Sequence, residues 1–416
     1  MESRLDSALE EAITSKRLPG IAAIALDKSG DVLYKGVYGK TSISDPKASA
    51  LTSSTPIPVW SCTKLVTSVA ALQLLEQGKL SLSDPVEKYI PIVKDIQVLD
   101  GFNDDGSPVL RAPKTEMTVL HLMTHTAGLS YPSFDQPTVQ YQTHVKQNPA
   151  AAMTMVTGKM KDFFTPLASD PGTKYTYGIN TDYLGFVVEA VSGMAIDDYI
   201  QQHIFDPLEM RHSGSHLKPE CSDPFITHFR GEDASLTAQP GFTGNTTPGV
   251  LAGGHYLTST LDDYSTFLLT VLNNGTHPKT GVQILKPDTV KDYIFTDQVK
   301  HCPTDGIGTL SGAIPFLSNT GTMLPGVKKT WSCGLMLNLD DHANGRNAGS
   351  GAWAGLGNLY YFLDQKAGKL AFIMCATLPF LDKEVLHLFD ELERALYDKG
   401  SAGSVGEKGS NFALPA

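Results

Sequence analysis

Cationic residues are scarce in this sequence: 33 Lys and Arg stand against 44 Asp and Glu, a net charge of -11. Such a surface repels a polyphosphate backbone, so nucleic acid is excluded as a general partner, although a local basic docking patch remains compatible with it. Long apolar runs are also missing. The stretch Ile21 to Leu26 is the longest near the N-terminus, far short of the ~20 residues that span a bilayer, and no membrane association is expected. The opening segment ESRLDSALEEAITSKR lacks the basic start and apolar centre of a secretory leader and spaces its apolar residues like a surface helix, which points to the cytoplasm. Cysteine is rare. Cys62, Cys221, Cys302, Cys333 and Cys375 are odd in number and show no Cys-x-x-Cys spacing, so free thiols are expected rather than a disulfide frame or a zinc site.

What is present is the composition of a globular protein. The 416 residues, 41% hydrophobic and 19% charged, suffice for two packed regions. Ile21 to Leu26 and Val32 to Tyr38 read as strands joined by the turn Asp27 to Asp31, and Cys333 to Asn338, Leu359 to Leu363 and Leu370 to Met374 read as three more. The helical spacing of Asp382 to Tyr397 lets that segment pack beside the N-terminal helix. The expected architecture is α/β (α+β): one five-stranded antiparallel sheet flanked by helices, built from residues 1–61 and 326–398, with a mostly helical insertion at 62–325. The Gly- and Ser-rich tail, 399–416, is expected to be mobile.

Ser-x-x-Lys occurs at Ser44 to Lys47, Ser61 to Lys64 and Ser215 to Lys218. Pro46 interrupts the first and Pro219 follows the third, whereas Lys64 opens the apolar run Leu65 to Leu75, closed by Gly78. Residues three apart share a helix face, so the Lys64 amine can reach the Ser61 hydroxyl and take its proton, provided burial or a neighbour lowers the pKa of the amine. Tyr177 lies in the turn Asp170 to Asn180, ahead of the apolar run Tyr183 to Val188. A phenol beside an ammonium group is suited to proton transfer. The small residues Gly349 to Asn358 let a substrate lie against backbone, and an amide there can pair with the Ser61 amide to hold an oxyanion. His121 and His125 lie four apart but lack the Glu of His-Glu-x-x-His and a third ligand, so no metal is expected, and His125 is read as packing beneath the site.

These features, in this order, resemble the serine β-lactamase and penicillin-binding superfamily, in particular its class C-like esterases and the fungal lovastatin-type acyltransferases and statin hydrolases. The resemblance runs over nearly the whole chain and includes Leu99 to Gly106, Leu120 to Tyr131, Asp170 to Asn180 and Gly357-Asn358-Leu359. It implies that Ser61 is the acylated nucleophile, Lys64 its partner base and Tyr177 the residue that carries protons to the leaving group and from the acceptor. It places Gly349-Ser350-Gly351 where the superfamily has a Lys-Thr-Gly strand, which makes Ala352 the second oxyanion amide beside Ser61. Two departures stand out: the Tyr-x-Asn pattern is stretched to Tyr177 and Asn180, and Gly349 replaces the lysine that would meet a lactam carboxylate. Strong β-lactamase or peptidase activity is therefore not expected.

The expected activity is hydrolysis of carboxylic esters of a bulky, apolar, polyketide-like molecule through a Ser61 acyl-enzyme, without a cofactor. Transfer of the acyl group from an ester or thioester to a natural-product hydroxyl is the alternative, with acyl-CoA or an acyl-carrier protein as donor. A catalytically silent ligand-binding protein on the same fold is the second alternative. Tyr141, Trp353 and Tyr361 are the candidate walls for the substrate, and the expected assembly is a monomer or small homo-oligomer.

Overall fold

The computed structural model describes residues 2–146, 160–215, 223–242, 249–300, 302–406 and 409–415. The elements that set up the site begin with helix α1 (Glu2–Thr14) and the hairpin β1 (Gly20–Asp27) and β2 (Val32–Gly39). Helices α2 (Thr63–Glu76), α3 (Asn180–Ser192) and α4 (Leu261–Leu272) follow. The chain then returns as β3 (Lys329–Trp331), β4 (Met336–Asn338), β5 (Gly351–Gly355), β6 (Leu359–Asp364) and β7 (Lys369–Met374), and ends its regular framework in α5 (Lys383–Leu396).

The main sheet has seven strands rather than five, in the order β3-β4-β5-β6-β7-β1-β2, every neighbour antiparallel. β7 pairs with β1, Ala371 opposite Ala25, so strands from the two ends of the chain meet in one sheet. The two additional strands are β3, only three residues long, and β5, whose sequence Gly-Ala-Trp-Ala-Gly has low intrinsic strand preference and is extended through its pairing with β6.

Alternation along β6 shows that both faces of the sheet are covered. Tyr360 and Phe362 turn one way and contact Phe389 of α5, with centroids 5.7 and 6.1 Å away. Tyr361 turns the other way toward Tyr264 of α4, at 5.9 Å. The segment between β2 and β3 carries the remaining helices but also short strands, among them Val98–Phe102 paired with Pro108–Arg111 and Thr309–Leu310 paired with Gly321–Met323.

The tail is not a free extension. Phe412 and Ala413 pair with Met323 and Thr322. Asn411 donates to Asp390 at 2.7 Å and to Glu393 at 2.5 Å, beside the buried Arg346, which donates to Glu393 at 2.7 Å. Composition suggested mobility, yet one buried aromatic and a set of charge-assisted hydrogen bonds are enough to anchor this end. Cys62, Cys302, Cys333 and Cys375 are free thiols, and Cys221 lies outside the described residues. No helix among the described residues is long and apolar enough to cross a membrane.

Candidate active site

Trp60 adopts a positive φ of 48°, which turns the chain out of the strand pair Ile57–Pro58 with Thr258–Ser259 into the 3-10 turn Trp60–Cys62. Ser61 sits in that turn, half-buried, just ahead of α2. α2 is apolar on all sides because it lies in the interior: twelve of its fourteen residues are buried. Two of its polar side chains donate to backbone carbonyls there, Thr67 to Gly253 at 2.6 Å and Gln73 to Ile284 at 2.9 Å.

Lys64, one turn along, is 2% exposed, and its Nζ lies 3.0 Å from Ser61 Oγ. The Tyr177 hydroxyl approaches the same oxygen at 2.9 Å. Two side chains, one from the next turn and one from a distant part of the sequence, therefore converge on the Ser61 hydroxyl. Lys64 Nζ also donates to the Tyr131 hydroxyl at 3.2 Å and to the Gly254 carbonyl at 2.9 Å, and lies 5.1 Å from the ring centroids of both Tyr131 and Tyr177. Cys62 is no rival to Ser61, since complete burial pushes its thiol far up.

Tyr177 is fixed from below. Its ring packs on His125 and on Trp353, both at 4.9 Å. Asn180, at the start of α3, donates to the Leu129 carbonyl at 2.8 Å and stands 3.1 Å from His125 Nδ1, tying the segment before Tyr131 to the Tyr177 turn. Burial, then the nearby Lys64 charge, holds the His125 imidazole well below the usual histidine range, so it serves as a neutral packing group. His121 is occupied differently, accepting at Nδ1 from the Thr118 amide in a capping box. Among the described residues no group of three or more His, Cys, Asp or Glu is arranged to hold a metal ion.

Ser61 and Tyr177 open onto a cleft with about 840 Å³ of empty space. Trp60, Phe134, Phe242, Leu317, Met323 and Phe380 supply much of its wall, and among the described residues no lysine, arginine or carboxylate lines it. Trp353 is part of that wall. Tyr361 is not: it is 1% exposed beneath the sheet against Tyr264, a core residue on the α4 face. Tyr141 lies on the helix Gln136–Lys146, outside the cleft lining.

The backbone amide that faces the cleft is Ala354 rather than Ala352. Ala352 is paired with Met336 of β4 and borders a separate small void with Phe389 and Phe412. Beyond it β4 has ended. The Ser350 carbonyl accepts from the Asn338 amide on the β4 side, and backbone groups alternate along a strand, so the Ala354 amide faces that same, now open, edge. Ala354 lines the cleft with Ser61. The next residue, Gly355, abuts the Ser61 turn so closely that a Cβ there would lie 2.5 Å from the Val59 carbonyl oxygen. Ala354 lies two residues beyond the position that the Lys-Thr-Gly resemblance implies, in a segment that lacks the lysine.

Sequence reasoning passed over Tyr131, Asp182, Gly254 and His255. Tyr131 closes the Leu120 to Tyr131 segment, and Asp182 is an acid directly ahead of the apolar run Tyr183 to Val188, which is a signal in itself. Of the other Ser-x-x-Lys matches, Ser44 and Lys47 lie in an exposed loop, and Lys218 lies outside the described residues.

A family model described as Beta-lactamase matches residues 5–392. A monacolin J acid methylbutanoyltransferase from Aspergillus terreus is 27% identical over 408 residues, covering 96% of both chains. A lovastatin esterase from Penicillium rubens is 27% identical over 376 residues, covering 87% of this chain and 90% of its own. Among solved structures, a mutant simvastatin synthase from Aspergillus terreus aligns with a TM-score of 0.80 at 26% identity, over 95% of this chain and 94% of that one. With its fold, its Ser61 turn and a family match over nearly its full length, the chain belongs to the β-lactamase family.

Proposed function

We propose that this protein is a serine esterase that forms an acyl-enzyme on Ser61 with carboxylic esters of a bulky, neutral, apolar small molecule. The observation that carries the reading is the convergence of Lys64 Nζ and Tyr177 Oη on Ser61 Oγ, at 3.0 and 2.9 Å, on the wall of an apolar cleft. Lys64 takes the Ser61 proton as Oγ bonds the acyl carbon, Tyr177 gives a proton to the departing alkoxide, and the amides of Ser61 and Ala354 receive the oxyanion. An incoming hydroxyl then reverses these transfers and releases the acyl group. Water is the acceptor in the first reading, because Ser61 is half-exposed at an open cleft.

The second reading has an alcohol of a second apolar substrate as acceptor, with the donor a thioester of coenzyme A or of a carrier protein. It is supported by the relative named as a methylbutanoyltransferase, which matches this chain end to end. The test is intact-mass analysis after brief exposure to a panel of acyl esters and thioesters, beside Ser61→Ala. The expected result is an acyl-sized gain, or turnover, in the wild type alone. Product analysis with and without an alcohol separates the two readings. Turnover by Ser61→Ala at the wild-type rate would overturn both.

A further inference from the structure

Lys64 offers three hydrogens and has three partners: Ser61 Oγ at 3.0 Å, Tyr131 Oη at 3.2 Å and the Gly254 carbonyl at 2.9 Å. Two of those partners are held by a single carboxylate. Asp182, on α3 and with no exposed surface, accepts from the Tyr131 hydroxyl through Oδ2 at 3.1 Å and from the Gly254 amide through Oδ1 at 3.0 Å. His255 Nδ1 stands 3.3 Å from the same Oδ1, and its ring borders the cleft, which closes the arrangement on the substrate side. The fit at Gly254 admits no side chain: a Cβ would come within 2.8 and 2.9 Å of the two carboxylate oxygens and within 2.9 Å of Tyr131 Oη.

We propose that Asp182 is the positioning residue of this site, orienting the Lys64 amine through Tyr131 and Gly254 so that its third direction points at Ser61. This rests on the reading of Ser61 as the acylated residue. A neutral amine keeps two hydrogens and one lone pair. With the two hydrogens engaged by Tyr131 Oη and the Gly254 carbonyl, the lone pair is left for the Ser61 proton. That proton moves to Nζ as the Oγ to acyl-carbon bond forms, Tyr177 protonates the departing alkoxide, and Lys64 restores the proton to Tyr177, so every proton is accounted for. The wide separation in sequence of Tyr131, Asp182 and Gly254 argues that the arrangement belongs to the site rather than to local chain geometry.

The charges around Lys64 agree with this. Burial pushes the Asp182 carboxyl up, but the His255 side chain, the Lys64 charge and the Gly254 amide outweigh it and hold Asp182 below the usual carboxylate range, so it is an anion. Burial and the Asp182 charge push the Tyr131 phenol far up, so it stays protonated and can donate. His125 and Cys62, which also feel the Lys64 charge, are neutral through burial, which leaves Asp182 as the anion beside Lys64.

The experiment compares full-length wild type with Asp182→Asn, Tyr131→Phe and the double variant, following kcat/KM for ester turnover against pH and checking the fold by circular dichroism and melting. Asp182→Asn is expected to cost about 100-fold in kcat with KM little changed, the penalty of a misdirected base. Its acid limb is expected to move to lower pH, because removing the anion disfavours the ammonium form. The double variant is expected to lose no more than the worse single variant, since both changes break one arrangement. An unmoved acid limb with a near wild-type rate, or losses that multiply, would overturn the proposal, and a purely packing role for Asp182 predicts lower melting temperature with the limb in place. If Asp182→Asn does not fold, Tyr131→Phe, which deletes only an oxygen and leaves the Asp182 charge, decides by rate: a loss in kcat with KM little changed is expected, and a folded variant at the wild-type kcat would overturn the proposal. Ser61→Ala, run alongside, isolates failure of the underlying reading: activity there removes the Ser61 mechanism itself.

Discussion

Replacing Tyr177 by Phe removes a single oxygen, 2.9 Å from Ser61 Oγ, and leaves the ring where it is. That ring is fixed by contacts with His125 and Trp353 at 4.9 Å, Tyr131 at 5.6 Å and Phe134 at 5.7 Å, none of which needs the hydroxyl. The stability cost is therefore expected to be about 1 kcal/mol or less, the net value of one hydrogen bond. The kinetic cost is larger. A positioned acid–base group contributes about 10²–10⁴ in rate, which at 1.36 kcal/mol per tenfold is about 2.7–5.4 kcal/mol of barrier. The loss depends on the leaving group in a way that identifies the role. An alkyl ester expels an alkoxide that must be protonated, whereas a p-nitrophenyl ester expels a stable phenolate, so the variant is expected to lose roughly tenfold less activity on the aryl ester. The assay is kcat/KM for both ester types, with a melting curve to show an intact fold. A folded Tyr177→Phe protein that keeps the wild-type kcat/KM on alkyl esters, or loses equally on both, would refute the assignment.

Gly355→Ala puts a Cβ 2.5 Å from the Val59 carbonyl oxygen; it is expected to cost roughly 1–3 kcal/mol by chemical denaturation and to slow acylation, because β5 must retreat from the Ser61 turn. Arg346→Met leaves the fully buried Glu393, whose carboxyl Arg346 helps hold well below the usual range, without its cation; the expected loss is about 3–5 kcal/mol in a urea titration. The carboxyl of Asp170 is held down to about 2 by hydrogen bonds from the Arg111 guanidinium and the Lys114 amide. Its folded-state pKa is lowered, so its contribution is fully present above the ordinary carboxylate range and is lost as pH falls toward about 2. Asp170→Asn should accordingly flatten the acid side of the stability profile measured by melting. Penicillins, which carry a carboxylate, are expected to be turned over far more slowly than neutral esters in a side-by-side rate assay.

The parts of the fold that were legible in sequence are those with a strong local signal. The β1–β2 hairpin shows in two apolar runs around a turn rich in Asp and Gly, and α5 shows in the spacing of Val385, Leu386, Leu388, Phe389, Leu392 and Leu396. β5 was not legible because Gly, Ala, Ala and Gly do not look like a strand, and its extended form depends on β6 and on the Ser61 turn, both long-range contacts. The same applies to the tail, where Asn411 and Phe412 matter only through Asp390, Glu393 and Met323. At the site, Ser61 and Lys64 could be paired from their spacing together with the apolar helix that follows them, which the other two Ser-x-x-Lys matches lack. Tyr131, Asp182 and Gly254 could not, since no local pattern joins residues that meet only in three dimensions. Aromatic residues were the least legible: Trp353 and Tyr361 are directly paired on adjacent strands, yet one borders the cleft and the other is core.

The departures from the family's sequence pattern and the shape of the cleft bear on substrate choice together. With Ala354 as the second oxyanion amide, the lysine position of the Lys-Thr-Gly pattern falls on Gly351 rather than Gly349, and neither residue has a side chain to meet a carboxylate. Among the described residues the cleft wall offers no lysine or arginine in compensation. A substrate carboxylate placed there would lose its hydration without gaining an ion pair, a penalty of several kcal/mol. A neutral ester with large apolar groups gains instead, at about 25 cal/mol for each Å² withdrawn from water. On the proposed reading the acylation step is indifferent to that choice, because Lys64, Tyr177 and the paired amides would act on any acyl carbon brought within reach. Selectivity would then lie in what the wall can desolvate without cost, and Trp60, Phe134, Phe242, Leu317, Met323 and Phe380 favour uncharged, hydrophobic esters.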